Sequence, residues 1–203
     1  MNEKFFALPE EKRQSIINAG YRVFAQNSYK KSPVGEIAAE AGISKSLLFH
    51  YFKNKRELYL FLWEYCAQTT IEYLTRYDCY GQNDLFESMM TGMRAKMEII
   101  RRWPDMGSFV IRAFYEKDPE ISAAIQAACN KAFSFKASRT LMNLDPKQFI
   151  PGLDIEMMYR EMYWASEGYL WELLQRGGMD IEKMERDFTR LIQFWKQIYL
   201  RKE

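Results

Sequence analysis

One short predicted helix carries five outward-facing side chains that suit the edge of a DNA groove. They are Lys45, Ser46, Leu47, Phe49 and His50. The lysine can donate hydrogen bonds to guanine, the serine and histidine can bond to base edges, and the leucine can touch a thymine methyl group. A short exposed helix with donors and a cation fits the major groove. The set therefore predicts recognition of duplex DNA.

The residues around this helix meet the steric needs of two helices joined by a tight turn. Gly42 can take the positive φ of the turn, and the small Ala38 lets the second helix cross closely over the first. Ser44 can cap the second helix, and Leu48 faces inward. Residues 34–58 thus predict a helix-turn-helix. The alternative is an ordinary amphipathic helical hairpin, which does not require Ala, Gly, Ile and Ser at these fixed offsets.

Cations and helix amino ends near the motif are expected to position it on the DNA backbone. Lys45, Lys53 and Lys55 can neutralise phosphates. The helices capped by Ser32 and Ser44, the first with Pro33 in its first turn, add oriented amides. The complete predicted DNA-binding set is Ser32, Pro33, Ser44, Lys45, Ser46, Leu47, Phe49, His50, Lys53 and Lys55.

The spacing of apolar residues and helix breakers predicts an all-α fold of about nine helices, without strand alternation. Residues 9–27 form the first helix, which packs on the helix-turn-helix and makes a three-helix head. A long helix capped by Asn54 leads into the body. We predict a DNA-binding domain at residues 1–53 and a larger ligand-binding and dimerisation domain at residues 54–203. The predicted later helices cover 83–103, 105–116, 119–142, 154–176 and a stretch from Asp180 onward.

The last two helices carry apolar residues at steps of three and four, which indicates packing along other helices. Two such helices from each of two chains would form a four-helix bundle. A two-fold homodimer would present two recognition helices about 34 to 36 Å apart, one turn of DNA. The alternative is a monomer with a large buried body. The predicted dimer interface is Met158, Met162, Tyr169, Leu173, Met184, Phe188, Leu191 and Trp195.

The body is rich in methionine and aromatic residues, which can line an adaptable apolar cavity. Ordinary core packing is the alternative for each of them. Glu167 stands among aromatic residues, so it pairs with Arg112 or Arg94, faces water, or awaits a cationic ligand. The predicted ligand-binding set is Trp63, Met93, Met97, Phe109, Arg112, Phe133, Trp164 and Glu167.

The composition indicates no catalytic or metal chemistry. His50 is the only histidine, and no second titratable group stands at a recognisable nucleophile or metal spacing from it. The three cysteines fit neither a zinc pattern nor a disulfide framework, so we expect buried reduced thiols. We expect no enzyme activity, no metal and no cofactor.

Charge and hydropathy indicate which classes of partner the protein is expected to bind. Residues 1–60 hold ten Lys and Arg against six Asp and Glu, a net charge of +4, and the remainder of the 203 residues carries −2. A basic amino-terminal end suits a polyanion. About 48% of the residues are apolar, yet every long apolar run is broken by charge, so no membrane association is expected. No secretion signal is recognised, which predicts a cytoplasmic protein.

Residues 10–60 resemble the TetR family of bacterial transcriptional regulators. The matching pattern runs from Ile37-Ala38 through Ala41-Gly42-Ile43-Ser44 to the aromatic residues of 49–52, Asn54-Lys55 and Leu58. Family members usually have tyrosine where this chain has Phe49 and glycine where it has Ser28. The resemblance implies that Lys55 grips the DNA backbone. It also implies a homodimer that acts as a repressor on a palindromic operator and is released by a small apolar or amphipathic molecule.

Two other classes of protein remain open. One is a DNA-binding architectural or division-control dimer without a ligand, which predicts a filled body. The other is an all-helical enzyme whose head binds a partner, which needs a site that the sequence does not show. The regulator predicts a closed apolar pocket bordered by the helices around residues 63, 97, 109 and 164.

Overall fold

A computed structural model describes residues 3–142, 144–176 and 180–202 of the chain. Within these residues the fold is all-α, as predicted, and an isolated bridge between Phe149 and Leu200 is the one extended pairing. No described helix is long and apolar enough to span a bilayer. The α-helices are α1 (Glu3–Phe6), α2 (Glu10–Gln26), α3 (Val34–Glu40), α4 (Lys45–Tyr51), α5 (Lys55–Arg76), α6 (Leu85–Arg102), α7 (Pro104–Phe114), α8 (Ser122–Leu141), α9 (Ile155–Gln175) and α10 (Ile181–Tyr199).

The helix boundaries follow the breakers and caps that the sequence shows. Asn54 accepts a hydrogen bond from the Glu57 amide at 2.8 Å and so caps α5. Asp154 and Asp180 cap α9 and α10 in the same way. The short helix α1 was not predicted, because four residues are too few to show helical periodicity.

The chain divides into two compact units. The first comprises residues 1–69 and 103–129, and the second comprises residues 70–102 and 130–203. The predicted domain boundary between residues 53 and 54 therefore falls inside the first unit. The long helices α5 and α8 each contribute residues to both units.

The first unit is built around α2, which packs on α3 and α7. Phe24, Tyr59 and Phe109 meet in its aromatic core, with ring centroids 4.8 Å apart for Phe24 and Tyr59 and 4.9 Å apart for Tyr59 and Phe109. Phe109 has no exposed surface. This core joins the amino-terminal helices to α7 through apolar packing.

Helix α2 approaches α5 closely at Gly20. A Cβ atom at this position would lie 2.6 Å from Leu62 Cδ1, so a larger residue would require the Leu62 side chain to shift. The neighbouring Tyr21 hydroxyl donates a hydrogen bond to the Leu62 carbonyl oxygen at 2.8 Å. Burial raises the pKa of this hydroxyl, which stays a neutral donor. The two contacts fix α5 against α2.

The second unit is organised by α10, which packs on α6. One of its core clusters contains Met158, Met162, Ile192 and Trp195, and another contains Met93, Met97, Leu173 and Met184. Methionine fills both clusters because its unbranched side chain adapts to irregular gaps.

The structure buries five of the eight residues of the predicted dimer interface inside one chain. Tyr169, Phe188 and Leu191 are half-buried. A side chain that packs in its own core has little surface left for a partner. The buried residues of the predicted set are Met158, Met162, Leu173, Met184 and Trp195.

Candidate nucleic-acid interface

The turn between α3 and α4 has the geometry that its residue types require. Gly42 has a φ of +66°, in the left-handed region that glycine adopts without steric cost. The amide of Ile43 donates to the Ala38 carbonyl at 3.0 Å and closes the turn. Ala38 is buried where the two helices cross. The predicted helix-turn-helix is confirmed.

Ser44 caps α4 as predicted. Its hydroxyl accepts a hydrogen bond from the Leu47 amide at 3.1 Å and lies 3.0 Å from the Ser46 hydroxyl. Leu48 and Tyr51 face inward and are buried. The cap and the two apolar anchors therefore set which side of α4 faces solvent.

The outer side of α4 exposes all five predicted side chains. Leu47 and Phe49 are 37% and 38% exposed, although both are apolar. The Lys45 ammonium lies 5.9 Å from the centre of the Phe49 ring, close enough for a cation–π interaction. Lys45, Ser46 and His50 are exposed beside them. This surface combines donors, a cation and apolar groups on one helical face.

Lys55 has a structural task beside its predicted contact with phosphate. Its ammonium donates to the carbonyl oxygens of Tyr29 and Lys30 at 2.8 and 3.2 Å and lies 4.6 Å from the centre of the Tyr29 ring. A lysine has three donors, so these bonds hold the loop after α2 with two of them. Lys53 is exposed, and its amide donates to the Glu57 carboxylate at 2.7 Å.

The predicted cap at Ser32 is wrong. Ser32 is 3% exposed, and its hydroxyl donates to the Ser28 carbonyl at 2.9 Å. The N-cap position of α3 is Pro33, which has no side-chain cap bond. Ser32 therefore closes the loop after α2, because its hydroxyl is turned back to that loop and away from the amides of α3.

Four polar contacts tie the loop after α2 and its neighbours to residues 103–129 of the same unit. The Arg112 Nε donates to the Ala25 carbonyl at 2.7 Å, and the Tyr29 amide donates to the Glu116 carboxylate at 2.7 Å. Two further contacts, Arg56 to the Glu120 carbonyl and Arg22 to Asp105, measure 2.9 and 3.4 Å. The helices α2 and α5 and the loop after α2, which flank α3 and α4, are thus anchored to α7 and to the segment that precedes α8.

The predicted ligand-binding residues are divided between the two units. Trp63, Phe109 and Arg112 belong to the first unit and the other five to the second. Phe109, Met93 and Met97 are core residues, and Arg112 is used in the bond to Ala25. Such burial follows from their apolar spacing, which does not distinguish a core from a cavity wall.

The remaining predicted ligand residues are more accessible. Phe133 is half-buried, with its ring centre 4.7 Å from that of Tyr163, and Trp164 is 56% exposed beside the Arg160 guanidinium. Glu167 is half-buried and lies near Lys96. Burial lowers the pKa of the Lys96 ammonium, and the Glu167 carboxylate opposes this change.

Sequence reasoning missed two polar groups in the second unit and one near α4. The Tyr80 hydroxyl is buried and has no hydrogen-bond partner among the described residues. Lys96 has a perturbed ammonium although its side chain as a whole remains accessible to solvent. Lys4 lies beside His50. None of the three stands in a local motif, so only the fold reveals them.

The sequence of the chain is similar to that of known bacterial regulatory proteins. Residues 16–61 match the family model described as bacterial regulatory proteins, tetR family. The chain is 23% identical over 201 residues to the HTH-type transcriptional regulator AcrR of Shigella flexneri, with 90% of this chain and 88% of that protein covered. The matched segment contains the whole helix-turn-helix.

Solved structures share the fold. A TetR family transcriptional regulator from Chloroflexus aurantiacus has a TM-score of 0.67 and 21% identity, with 99% of each chain covered. The transcriptional regulator FadR from Bacillus subtilis, solved in complex with stearoyl-CoA, has a TM-score of 0.67 and 16% identity, with 88% of this chain and 96% of that chain covered. At these identities the likeness concerns the fold alone.

Proposed function

Because the chain belongs to the TetR family of bacterial transcriptional regulators, we propose that it binds a palindromic operator as a homodimer and represses transcription until a small amphipathic molecule releases it. Like these relatives, it is a transcriptional regulator and not an enzyme. It would act in the cytoplasm, where a bacterial chromosome lies.

The exposed face of α4 carries the proposal. A polar and apolar mixture on a capped, rigidly packed helix suits direct contact with base edges. We assign base reading to Lys45, Ser46, Leu47 and His50, and backbone contacts to Lys53, Lys55 and the amide end of α4. Leu47 and Phe49 are apolar and exposed to water in the free protein, and in such a complex they could contact apolar groups of the DNA such as a thymine methyl group.

The homodimer would use the outer sides of α9 and α10. Met157 and Trp164 on α9 are 52% and 56% exposed, and Phe194 and Ile198 on α10 are 54% and 43% exposed. Clusters of exposed large apolar side chains mark interaction surfaces. Gly168 is in line with Trp164 on α9, and a Cβ atom added there would meet nothing within 4 Å among the described residues. This open space leaves room for the close approach of a second helix.

The effector would bind in the second unit, where polar groups remain available inside an apolar surround. The buried Tyr80 hydroxyl can donate, and the Arg139 guanidinium lies 6.0 Å from the centre of the Tyr80 ring. Burial raises the pKa of the Cys79 thiol, and Lys96 is near enough to this thiol to oppose the rise. These donors suit the anionic or acceptor end of an amphipathic molecule, and FadR was solved with a ligand of that kind.

Release from DNA requires that the effector prefer one arrangement of the protein over another. Helices α5 and α8 each have residues in both units, so a displacement of either helix in the second unit reaches the first. In the first unit, Glu116 and Lys55 both hold the backbone of Tyr29. The loop after α2 is therefore the point at which such a displacement would move the helix-turn-helix.

Selection of bound duplexes from a random pool tests the proposal. We expect the selected duplexes to share a palindrome. If each subunit neutralises about four phosphates, the slope of log affinity against log salt concentration for the dimer should be about −7. Stearoyl-CoA should lower the affinity for the selected operator, and a long-chain quaternary ammonium should not. Enrichment of no sequence would refute DNA recognition, and release by the ammonium compound alone would refute the anionic effector.

Two tyrosine variants test whether the Tyr80 hydroxyl is unsatisfied. Tyr21→Phe should lower the free energy of unfolding by about 1 kcal/mol, because it removes the bond to Leu62. Tyr80→Phe should leave this free energy unchanged or raise it by up to about 1 kcal/mol, since a buried unpaired hydroxyl is costly. Denaturant titration without effector gives both values. An equal loss in the two variants would contradict the assignment.

A further inference from the structure

The amino-terminal helix α1 is fixed against the end of the recognition helix α4. Phe5 is 1% exposed, and its ring centre lies 5.0 Å from that of Phe52 and 5.1 Å from that of Phe61. The Phe6 carbonyl accepts a hydrogen bond from Arg13 at 2.7 Å. The segment is thus anchored by aromatic packing on one side and by a charge-assisted hydrogen bond on the other.

This anchoring places Lys4 next to the only histidine of the chain. The Lys4 Nζ lies 3.2 Å from Nε2 of His50, and both side chains are exposed. An ammonium group can donate but cannot accept, so Nε2 must accept in this contact. The proton of the neutral imidazole then lies on Nδ1. Lys4 therefore determines which hydrogen-bonding character His50 presents.

We propose that Lys4, held in place by its contact with His50, binds a phosphate oxygen at the edge of the groove. The Lys4 ammonium carries the positive charge and has three donors, so it can bond to a phosphate oxygen as well as to Nε2, whereas the Nδ1–H leaves the other side of the ring, toward a base edge. Since His50 lies on the exposed face of α4, DNA bound to that face comes within reach of Lys4. The inference rests on the proposed function and extends the DNA contact to the amino-terminal segment.

The tautomer of His50 tests the pair without DNA. Because the chain has one histidine, nitrogen-15 NMR at alkaline pH, where imidazole is neutral, gives a single set of ring signals. The wild-type protein should show the Nδ1–H form, and Lys4→Met should shift the signals toward the Nε2–H form. Lys147→Met, an exposed lysine of the second unit, should change nothing. Identical tautomers in wild type and Lys4→Met would overturn the pairing.

Affinity measurements test the DNA contact. Lys4→Met should weaken binding to the selected operator and to random duplex alike by about tenfold, and should reduce the salt slope of the dimer by about 2. In a His50→Gln background the same change should cost less, because the pair is already broken. Lys147→Met is again the control for charge.

Two outcomes would overturn the DNA contact: unchanged affinity in Lys4→Met, and a loss confined to one sequence, which indicates a base edge. Additive losses in the double variant would overturn the coupling of Lys4 to His50. If the wild-type protein bound no duplex, the proposed function itself would fail. The tautomer experiment would then still decide whether Lys4 and His50 are paired.

Discussion

Phe109→Ala is expected to lower the free energy of unfolding by about 3 to 5 kcal/mol, the usual cost of deleting a fully buried phenyl ring. Phe109 has no exposed surface, and its ring centre lies 5.2 Å from that of Tyr21 and 4.9 Å from that of Tyr59. The cavity left behind would lie between α7 and the helices that hold the recognition helix. Denaturant titration measures the loss.

Phe49→Ala is the matched control for this change, because its ring is 38% exposed on the outer side of α4. We expect a change within about 0.5 kcal/mol, as is usual for surface positions. DNA affinity should fall in this variant while stability holds. If instead Phe109→Ala kept wild-type stability and lost only the response to an effector, its sequence-predicted role in ligand binding would be restored.

Gly168→Arg is expected to produce a monomer and to lower affinity for a palindromic operator by about 100-fold or more. The loss follows because two linked half-site contacts exceed one by roughly this factor. The first carbon of a side chain at Gly168 meets nothing within 4 Å among the described residues, so the substitution spares the fold of one subunit. It would place a charge against the helix of a second copy.

Gly168→Ala serves as the control, since a methyl group disturbs the contact least and alanine stabilises a helix by about 0.5 to 1 kcal/mol relative to glycine. Sedimentation equilibrium should show a dimer for wild type and Gly168→Ala. A dimeric Gly168→Arg protein with wild-type operator affinity would exclude this side of α9 from the interface.

Much of the fold could be predicted from local sequence motifs. The left-handed Gly42, the capping Ser44 and the inward Leu48 could be placed from sequence because each role depends on residues within a few positions. The family resemblance drawn from the same stretch was confirmed by the match over residues 16–61. Helix ends were predictable for the same reason, since Asn54 and Asp180 bond to amides three residues away.

The faces of α9 and α10 could not be assigned in this way. Both helices are apolar on more than one side, and a spacing of three and four shows that a helix packs without showing on what. Trp195 and Met162 pack in a cluster of the same chain that includes residues of α6, which lies far away in sequence. The exposed Trp164 and Phe194 are indistinguishable from them by residue type.

Polar pairs between distant residues were also beyond reach. Arg112 bonds to the Ala25 carbonyl, and Lys4 contacts His50, across long stretches of chain. Nothing in a local pattern indicates that a side chain will meet a backbone carbonyl of another helix. Ser32 illustrates the converse, because its residue type suited a cap and the fold gave it the Ser28 carbonyl instead.

The first unit is assembled from two separate stretches of the chain, and this arrangement bears on how such proteins can diverge. A single recombination crossover near residue 54 would join a new amino-terminal part to the Arg112 and Glu116 of the old chain, and the new part would have to present the backbone of residues 25 and 29 to them in the same place. Exchange of the whole amino-terminal DNA-binding part between relatives is therefore disfavoured. New operator preferences would arise instead by substitutions on the outer side of α4, where Ser46 and Leu47 can change without disturbing the surrounding helices.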